Sequence, residues 1–264
     1  MRTVLLHHEG ARLEREVMAP WLASFSDLAG IVVLDDGRQR LLRRVRREIR
    51  RVGPLRFVDV LAFRAHYHLA CAGADARWEK SFANELAVRY LAVADDVPVL
   101  HAHGANGDDV VDFLERMRPD LMIARCRTLI DERIFSIPTR GTFVLHPGIA
   151  PEYRNSHGCF WALANRDLER VGMTLLKIDP GVDTGPIYGY YTYDYDEAAE
   201  SHVVIQKRVV FENLDALRDK LLEIDSGRAD PLDVAGRASA AWGQPWLTRY
   251  LRWKAEARRT RDRT

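Results

Sequence analysis

His146 closes the apolar run Thr142–His146 (TFVLH) and is followed at once by Pro147. A second apolar run, Gly172 to Ile178, ends in Asp179-Pro180-Gly181-Val182-Asp183-Thr184-Gly185. Histidine is the side chain that holds or moves a proton near neutral pH. A carboxylate beside it can orient the ring and share the proton. Such a pair suits general acid–base work, or donation of a hydrogen bond to an oxygen that gains charge during reaction. Asn155-Ser156-His157-Gly158, just downstream, offers polar groups for a substrate; its plainer reading is the capped start of a helix. Cys126, in Ala-Arg-Cys-Arg-Thr-Leu, has no histidine adjacent in sequence and is not expected to be a nucleophile. His101 and His103 alternate along a strand and could share a face, but no third ligand follows, so cleft lining or a surface position competes with metal and no metal is expected. The first strand ends at His7-His8-Glu9-Gly10 without a glycine-rich phosphate loop, so no nucleotide cofactor is expected.

The elements that must hold these residues follow from periodicity. Thr3–Leu6 and Gly30–Leu34 read as strands flanking a helix over Ala11–Phe25, where Leu13, Val17, Trp21 and Leu22 recur at helical spacing. Residues 38–90 are helical in character and too long for a crossover, which predicts an insertion that covers the site or joins two copies as a homodimer. Val97–Leu100, Leu121–Ala124, Thr142–His146, Gly172–Ile178 and Ile187–Tyr195 read as further strands. Helices are predicted over Val110–Met117, Ser156–Asn165 and, as one long amphipathic element, Glu197–Ile224. This alternation predicts a Rossmann-like α/β fold, a mostly parallel sheet with helices on both faces and reactive groups at the carboxyl ends of strands. The expected division is an α/β domain over 1–226 and a C-terminal extension over 227–264, too short to be a domain of its own.

Composition narrows the classes. The 264 residues carry a net charge of +1, with 47% hydrophobic and 29% charged residues, as in ordinary globular domains. No global field draws the chain toward nucleic acid or a membrane, and neither is an expected partner. Two basic stretches, Arg40–Arg51 and Arg249–Arg263, read as solvated faces, the second as a frayed terminal helix. Three widely spaced cysteines suggest neither a disulfide framework nor a zinc site, which fits a reducing cytoplasm. No signal-peptide or membrane-spanning run is evident.

The stretch from Val144 to Pro151 (VLHPGIAP), with the Asp179–Gly185 loop, resembles the core of the folate-dependent formyltransferases. These include glycinamide ribonucleotide transformylase, methionyl-tRNA formyltransferase and the sugar N-formyltransferases. The family pattern reads roughly Asn-x-His-Pro-(small)-Leu-Leu-Pro, then a loop, then Asp-x-Gly-x-Asp-(Thr/Gly)-Gly. The resemblance implies formyl transfer from 10-formyltetrahydrofolate to an amine. It makes His146 the residue that stabilises the oxyanion and Asp183 the group that orients it and helps move the proton. It implies a folate site along Arg125, Cys126 and Arg127, with Asp179 and Gly181 shaping the facing loop. Val144 stands where the family has asparagine. Asn155, Ser156 and His157 are the nearest substitute donors; a related reaction with another electrophile, or loss of catalysis, are the alternatives. A small amine such as an amino sugar or amino acid is the expected acceptor, because neither a tRNA-binding barrel nor a phosphate loop is evident. A folate-dependent hydrolase and a non-catalytic member of the fold remain open.

Overall fold

The computed structural model describes residues 1–35 and 48–262. Residues 40–47 of the basic run lie outside the described residues. In chain order the elements are β1 (Arg2–His8), a wide helical turn (Glu14–Met18), α1 (Ala19–Phe25), β2 (Asp27–Leu34), α2 (Pro54–Ala70), α3 (Ala72–Ala87), β3 (Val99–Ala102), α4 (Asp108–Met117), β4 (Leu121–Arg125), α5 (Glu132–Phe135), β5 (Gly141–His146), β6 (Arg154–Asn155), α6 (Gly158–Ala164), β7 (Met173–Lys177), β8 (Ile187–Tyr191), α7 (His202–Phe211), α8 (Leu214–Asp225), β9 (Ala241–Trp242) and α9 (Leu247–Arg261).

Seven strands form one sheet in the order β3-β2-β1-β4-β5-β7-β8. Strands β1 to β5 run parallel to one another, and β7 is antiparallel to β5 and β8. Alternation along β1 sorts the core. Leu5 packs with Leu13, Trp21, Phe82, Leu86, Val210 and Leu217 on one side. Val4 and Leu6 pack with Val110, Phe113, Leu114 and Ile134 on the other. Both faces of the parallel strands are therefore covered by helices, the architecture expected from the sequence. The chain reverses its strand order between β1 and β4, so a crevice opens beyond their carboxyl ends, beside His7, His8 and Arg125.

Three elements differ from expectation. The single helix predicted over Glu197–Ile224 is two, α7 and α8, broken at Asn213. The Asn213 side-chain amide donates to Val209 O (2.8 Å) and Thr192 O (3.0 Å), and so takes a helical carbonyl out of the ladder. The apolar stripe continues through the break, which hides it in the sequence. The last strand pairs only to Tyr191, short of the predicted Tyr195. The basic terminal helix is packed rather than frayed: Tyr250, Trp253 and Ala257 are buried with Phe63 and Phe160. Lys254 is buried with them and donates to the Glu197 and Glu200 carbonyls. Burial lowers its ammonium to about 8.

No helix among the described residues is long and apolar enough to cross a membrane. The cysteines Cys71, Cys126 and Cys159 are unbridged.

Candidate active site

His146 ends β5, buried between β4 and β7. Its Nε2–H donates to Tyr153 O at 2.7 Å, and Nδ1 lies 3.5 Å from Asp183 Oδ2. The ring is thus held between a main-chain carbonyl and a carboxylate. The Tyr153 carbonyl fixes the proton on Nε2, so a second proton on Nδ1 would complete an imidazolium facing Asp183. Gly148 makes the first contact possible, since a Cβ there would lie 2.6 Å from Tyr153 O and 2.9 Å from the imidazole.

Asp183 reaches this place in a way the sequence did not suggest. β7 is antiparallel, so Lys177 sits opposite Phe143, and Ile178 N–H donates to Thr142 O at 2.8 Å. The carboxyl end of β7 is therefore at the far end of β5 from His146, not level with it as a parallel strand would be. The Ile178–Gly185 loop runs back to bring Asp183 over the histidine. Asp179 braces that loop, accepting hydrogen bonds from Gly181 N–H (3.0 Å) and Thr184 Oγ1 (2.8 Å). A side chain at Gly181 would collide with Thr184 Oγ1. Asp183 itself has φ +50°, a left-handed conformation that aspartate tolerates better than most residues.

The loop after His146 completes the frame. Asn155 N–H donates to Asp183 Oδ2 at 2.7 Å, and Arg154 Nη1 donates to Val182 O at 2.7 Å. Thr174 Oγ1 donates to Gly148 O and accepts from Ala150 N–H. Asn155 and His157 are also left-handed. The Asn155 side-chain amide donates to Trp242 O, so it is committed within the protein. Ser156 N–H is directed at the same carbonyl (3.4 Å). His157 begins α6 with its ring beside His202, centroids 5.8 Å apart. Burial, with the charges of Arg127 and Arg64 added, lowers His157 to about 4. Burial also lowers His202, with His157 and Lys254 adding to it. Nδ1 of each histidine and Nε1 of Trp246 are buried without a hydrogen-bond partner among the described residues.

Val144 shares the strand face of His146 but packs against the cluster of Ala150, Leu176 and Ile187. The candidate folate residues lie at the end of β4, next to β5. Arg125 points inward: its guanidinium donates to Glu14 Oε1 (3.0 Å) and Leu145 O (2.5 Å), so it is a strut between elements rather than a free cation. Burial pushes the Glu14 carboxyl up, but Arg125 outweighs it and holds it below its ordinary value. The Cys126 thiol donates to Thr128 O at 3.3 Å. Arg127 N–H donates to His8 Nε2 (3.1 Å), while its side chain is exposed beside the crevice. His101 is exposed on edge strand β3, and His103 lies 3.4 Å from Asp35 just beyond it. No group of three or more candidate metal ligands occurs among the described residues.

The sequence reading missed the segment that braces the site from the C-terminal side. β9 pairs with β6, and Ala240 N–H donates to Pro151 O. Trp242 stacks on Tyr153 (5.7 Å) and Trp161 (4.8 Å), and its Nε1–H donates to Glu152 O at 2.9 Å. Arg237 holds the Glu152 carboxylate and Tyr190. The only signal in the sequence was the cluster of tryptophans after Ala241.

A doubly wound α/β sheet thus carries a buried histidine–aspartate pair near the carboxyl ends of its central strands. Residues 71–221 match the family model described as Formyl transferase, more than half of the chain, and the protein belongs to that family. The match extends beyond the motif-bearing region to α3 and α8. The chain is 28% identical over 145 residues to the methionyl-tRNA formyltransferase of Pelobacter propionicus, covering 54% of this chain and 45% of that protein. It is 30% identical over 139 residues to that of Parabacteroides distasonis, covering 50% and 43%. The chain thus matches less than half the length of these relatives. Its fold is similar to phosphoribosylglycinamide formyltransferase from Anaplasma phagocytophilum (TM-score 0.55, 12% identity, 93% of this chain and 99% of that one). It is also similar to a sugar N-formyltransferase from Shewanella (TM-score 0.52, 13% identity, 91% and 77%).

Proposed function

We propose that the protein transfers a formyl group from 10-formyltetrahydrofolate to the amine of a small molecule, an amino sugar or amino acid. The observation that carries this reading is the His146–Asp183 pair, held by Tyr153 O on one side and Asn155 N–H on the other. Family membership supplies the reaction class.

In this reading the amine nitrogen attacks the formyl carbon and a new C–N bond forms. The carbon's bond to the folate nitrogen breaks, and tetrahydrofolate leaves with a proton on that nitrogen. The His146 Nδ1–Asp183 pair takes the proton lost by the amine, and the positive charge this leaves on the imidazole stabilises the formyl oxygen as it gains negative charge, before the proton passes to the folate nitrogen. The donor would lie in the crevice between the Arg125–Leu129 segment and the Ile178–Gly185 loop. Main-chain groups there, rather than the Arg125 guanidinium, are the available contacts. Arg127 is exposed on that rim. Asn155, Ser156 and His157 would face the acceptor through the loop they share.

The test is calorimetric titration with 5-formyltetrahydrofolate, followed by turnover of 10-formyltetrahydrofolate with a panel of amino sugars and amino acids. Saturable binding is expected. His146→Ala and Asp183→Ala should each lower turnover by about 10²-fold or more while leaving folate binding in place. Absence of binding at millimolar ligand would overturn the reading. A second reading, a folate-binding protein without transfer, is favoured by Val144; it predicts binding with no turnover in any acceptor mixture. Release of formate without an acceptor would mark the hydrolase instead.

A further inference from the structure

α7 turns two polar side chains into the protein. His202 and Gln206 are four residues apart, so they lie on one face of the helix, one turn above the other. His202 is 1% exposed, with its ring against Phe63 (5.4 Å), Tyr67 (5.7 Å) and Phe160 (5.4 Å). The tyrosine hydroxyls around it are committed elsewhere, Tyr67 to Asp75 (2.8 Å) and Tyr250 to Cys71 Sγ (3.4 Å). His157 comes to the same place from the loop after His146, its ring centroid 5.8 Å from that of His202. Gln206 lies close enough to the His157 imidazole to favour its charged form. Yet Nδ1 of His157, Nδ1 of His202 and Oε1 of Gln206 are all buried without a hydrogen-bond partner among the described residues. Buried polar atoms are nearly always paired, because burial strips off water and must return something for it. Three such atoms in one place mark a site built for a polar group from outside the fold.

The chemistry of the three atoms specifies that group. The Gln206 oxygen can only accept a hydrogen bond. Each histidine is held neutral, by burial first, then by Arg127 and Arg64 at His157 and by Lys254 at His202. A neutral imidazole nitrogen donates or accepts according to its tautomer. A carboxylate has no proton for Gln206. An ammonium or a metal ion would enter a region whose positive charge already keeps two imidazoles unprotonated. A hydroxyl fits: it donates once, to Gln206 Oε1, and accepts twice, from Nδ1–H of His157 and of His202.

The site adjoins the reacting pair. His157 is two residues beyond Asn155, whose N–H binds Asp183. Gly158 packs onto Gly148, and Gly148 onto the His146 ring, with no room for a Cβ at either glycine. Arg127, on the crevice rim, is near enough to act on the His157 imidazole. His157 is only partly buried although its Nδ1 is fully so, and its ring therefore reaches from an open side to the buried point. We propose that His157, His202 and Gln206 bind a hydroxyl group of the acceptor, and that this contact selects an amino sugar over an amino acid. The assignment rests on the formyl-transfer reading of the His146–Asp183 pair.

Calorimetric titration with amino sugars bearing the amine at C2, C3 or C4, with cyclohexylamine and alanine beside them, tests this in the presence and absence of 5-formyltetrahydrofolate. At least one amino sugar should bind saturably. Cyclohexylamine, a six-membered ring amine without hydroxyls, should bind roughly 10²-fold more weakly or not at all, as in sites built around a substrate hydroxyl. Alanine should not bind. Gln206→Leu and His202→Phe, each with its melting temperature measured to confirm the fold, should lower amino-sugar affinity to the cyclohexylamine level while 5-formyltetrahydrofolate binds as to the wild type. Unchanged amino-sugar affinity in both variants, or equal affinity for cyclohexylamine, would overturn the proposal and leave the three atoms to water. So would an amino-sugar panel that does not bind at about 50 mM, far above the usual range for substrates. Absence of folate binding, with amino sugars still held through Gln206, would instead overturn the formyl-transfer reading and leave the hydroxyl site standing.

Discussion

At the scale of single residues, Val144 sets the sharpest question about this chain. Its side chain packs against Ala150, Leu176 and Ile187 on the strand face that also carries His146. A donor at this point would face the same space as the imidazole. If formyl transfer is the reaction, Val144→Asn should raise kcat by roughly 10–100-fold, less than the full worth of a preorganised donor. It should also cost about 1–3 kcal/mol of stability, because an amide enters an apolar cluster. Paired turnover and thermal-melt measurements check both. A stable variant with unchanged kcat would show that another group already fills the role. Asn155 is a poor substitute as it stands, because its side-chain amide is given to Trp242 O. His157 and Ser156 are left to serve.

At the scale of elements, the loop after His146 is held less by its own sequence than by β9. The Trp242 ring lies between Tyr153 and Trp161, and its carbonyl receives the Asn155 amide. Trp242→Ala keeps the carbonyl and removes the stacking. It should lower melting stability by about 2–4 kcal/mol, in the range for losing a large aromatic side chain that is only partly buried. It should also reduce kcat by tenfold or more with little change in KM, because His146 and Asp183 lose their fixed separation. A fall in stability with kcat intact would make the segment purely structural. This bracing was hidden in the sequence for a physical reason. Most of its hydrogen bonds have a main-chain group on at least one side, which any residue could supply, and they cross a long separation in sequence. The direction of β7 was hidden too. An apolar run shows that a strand is buried, not which way it points, so the route of Asp183 back to His146 could not be read from it. His146 and its prolines were legible because side chain, strand end and turn coincide.

At the scale of the whole molecule, the layered sheet was legible because each strand is a short apolar run and each crossover a periodic helix. The two-helix division at Asn213 and the packing of α9 were not, since both depend on tertiary contacts. Global stability should also depend on pH through the buried imidazoles. His157 and His202 are held neutral, below the ordinary histidine value, and Arg127, Arg64, Lys254 and Glu48 are the charged groups acting on them. The unfolded chain binds protons near pH 6.5, whereas the folded chain does not until about pH 4 at His157. Stability is therefore retained above about 6.5 and lost as pH falls toward 4, by up to roughly 1.4 kcal/mol per pH unit for each histidine. Melting curves between pH 7.5 and 5 should show this fall, and His202→Phe should flatten it. Equal slopes in the two proteins would place the effect elsewhere.

The sandwich of Trp242 between Tyr153 and Trp161 has an optical consequence. An indole whose emission depends on its neighbours belongs to the residue whose carbonyl binds Asn155, in the loop that holds Asp183 beside His146. Occupancy of the crevice that shifts the loop will change that emission, and Trp242→Phe will silence the change while the other five tryptophans remain. The protein thus carries its own light signal for ligand screening, with no label attached.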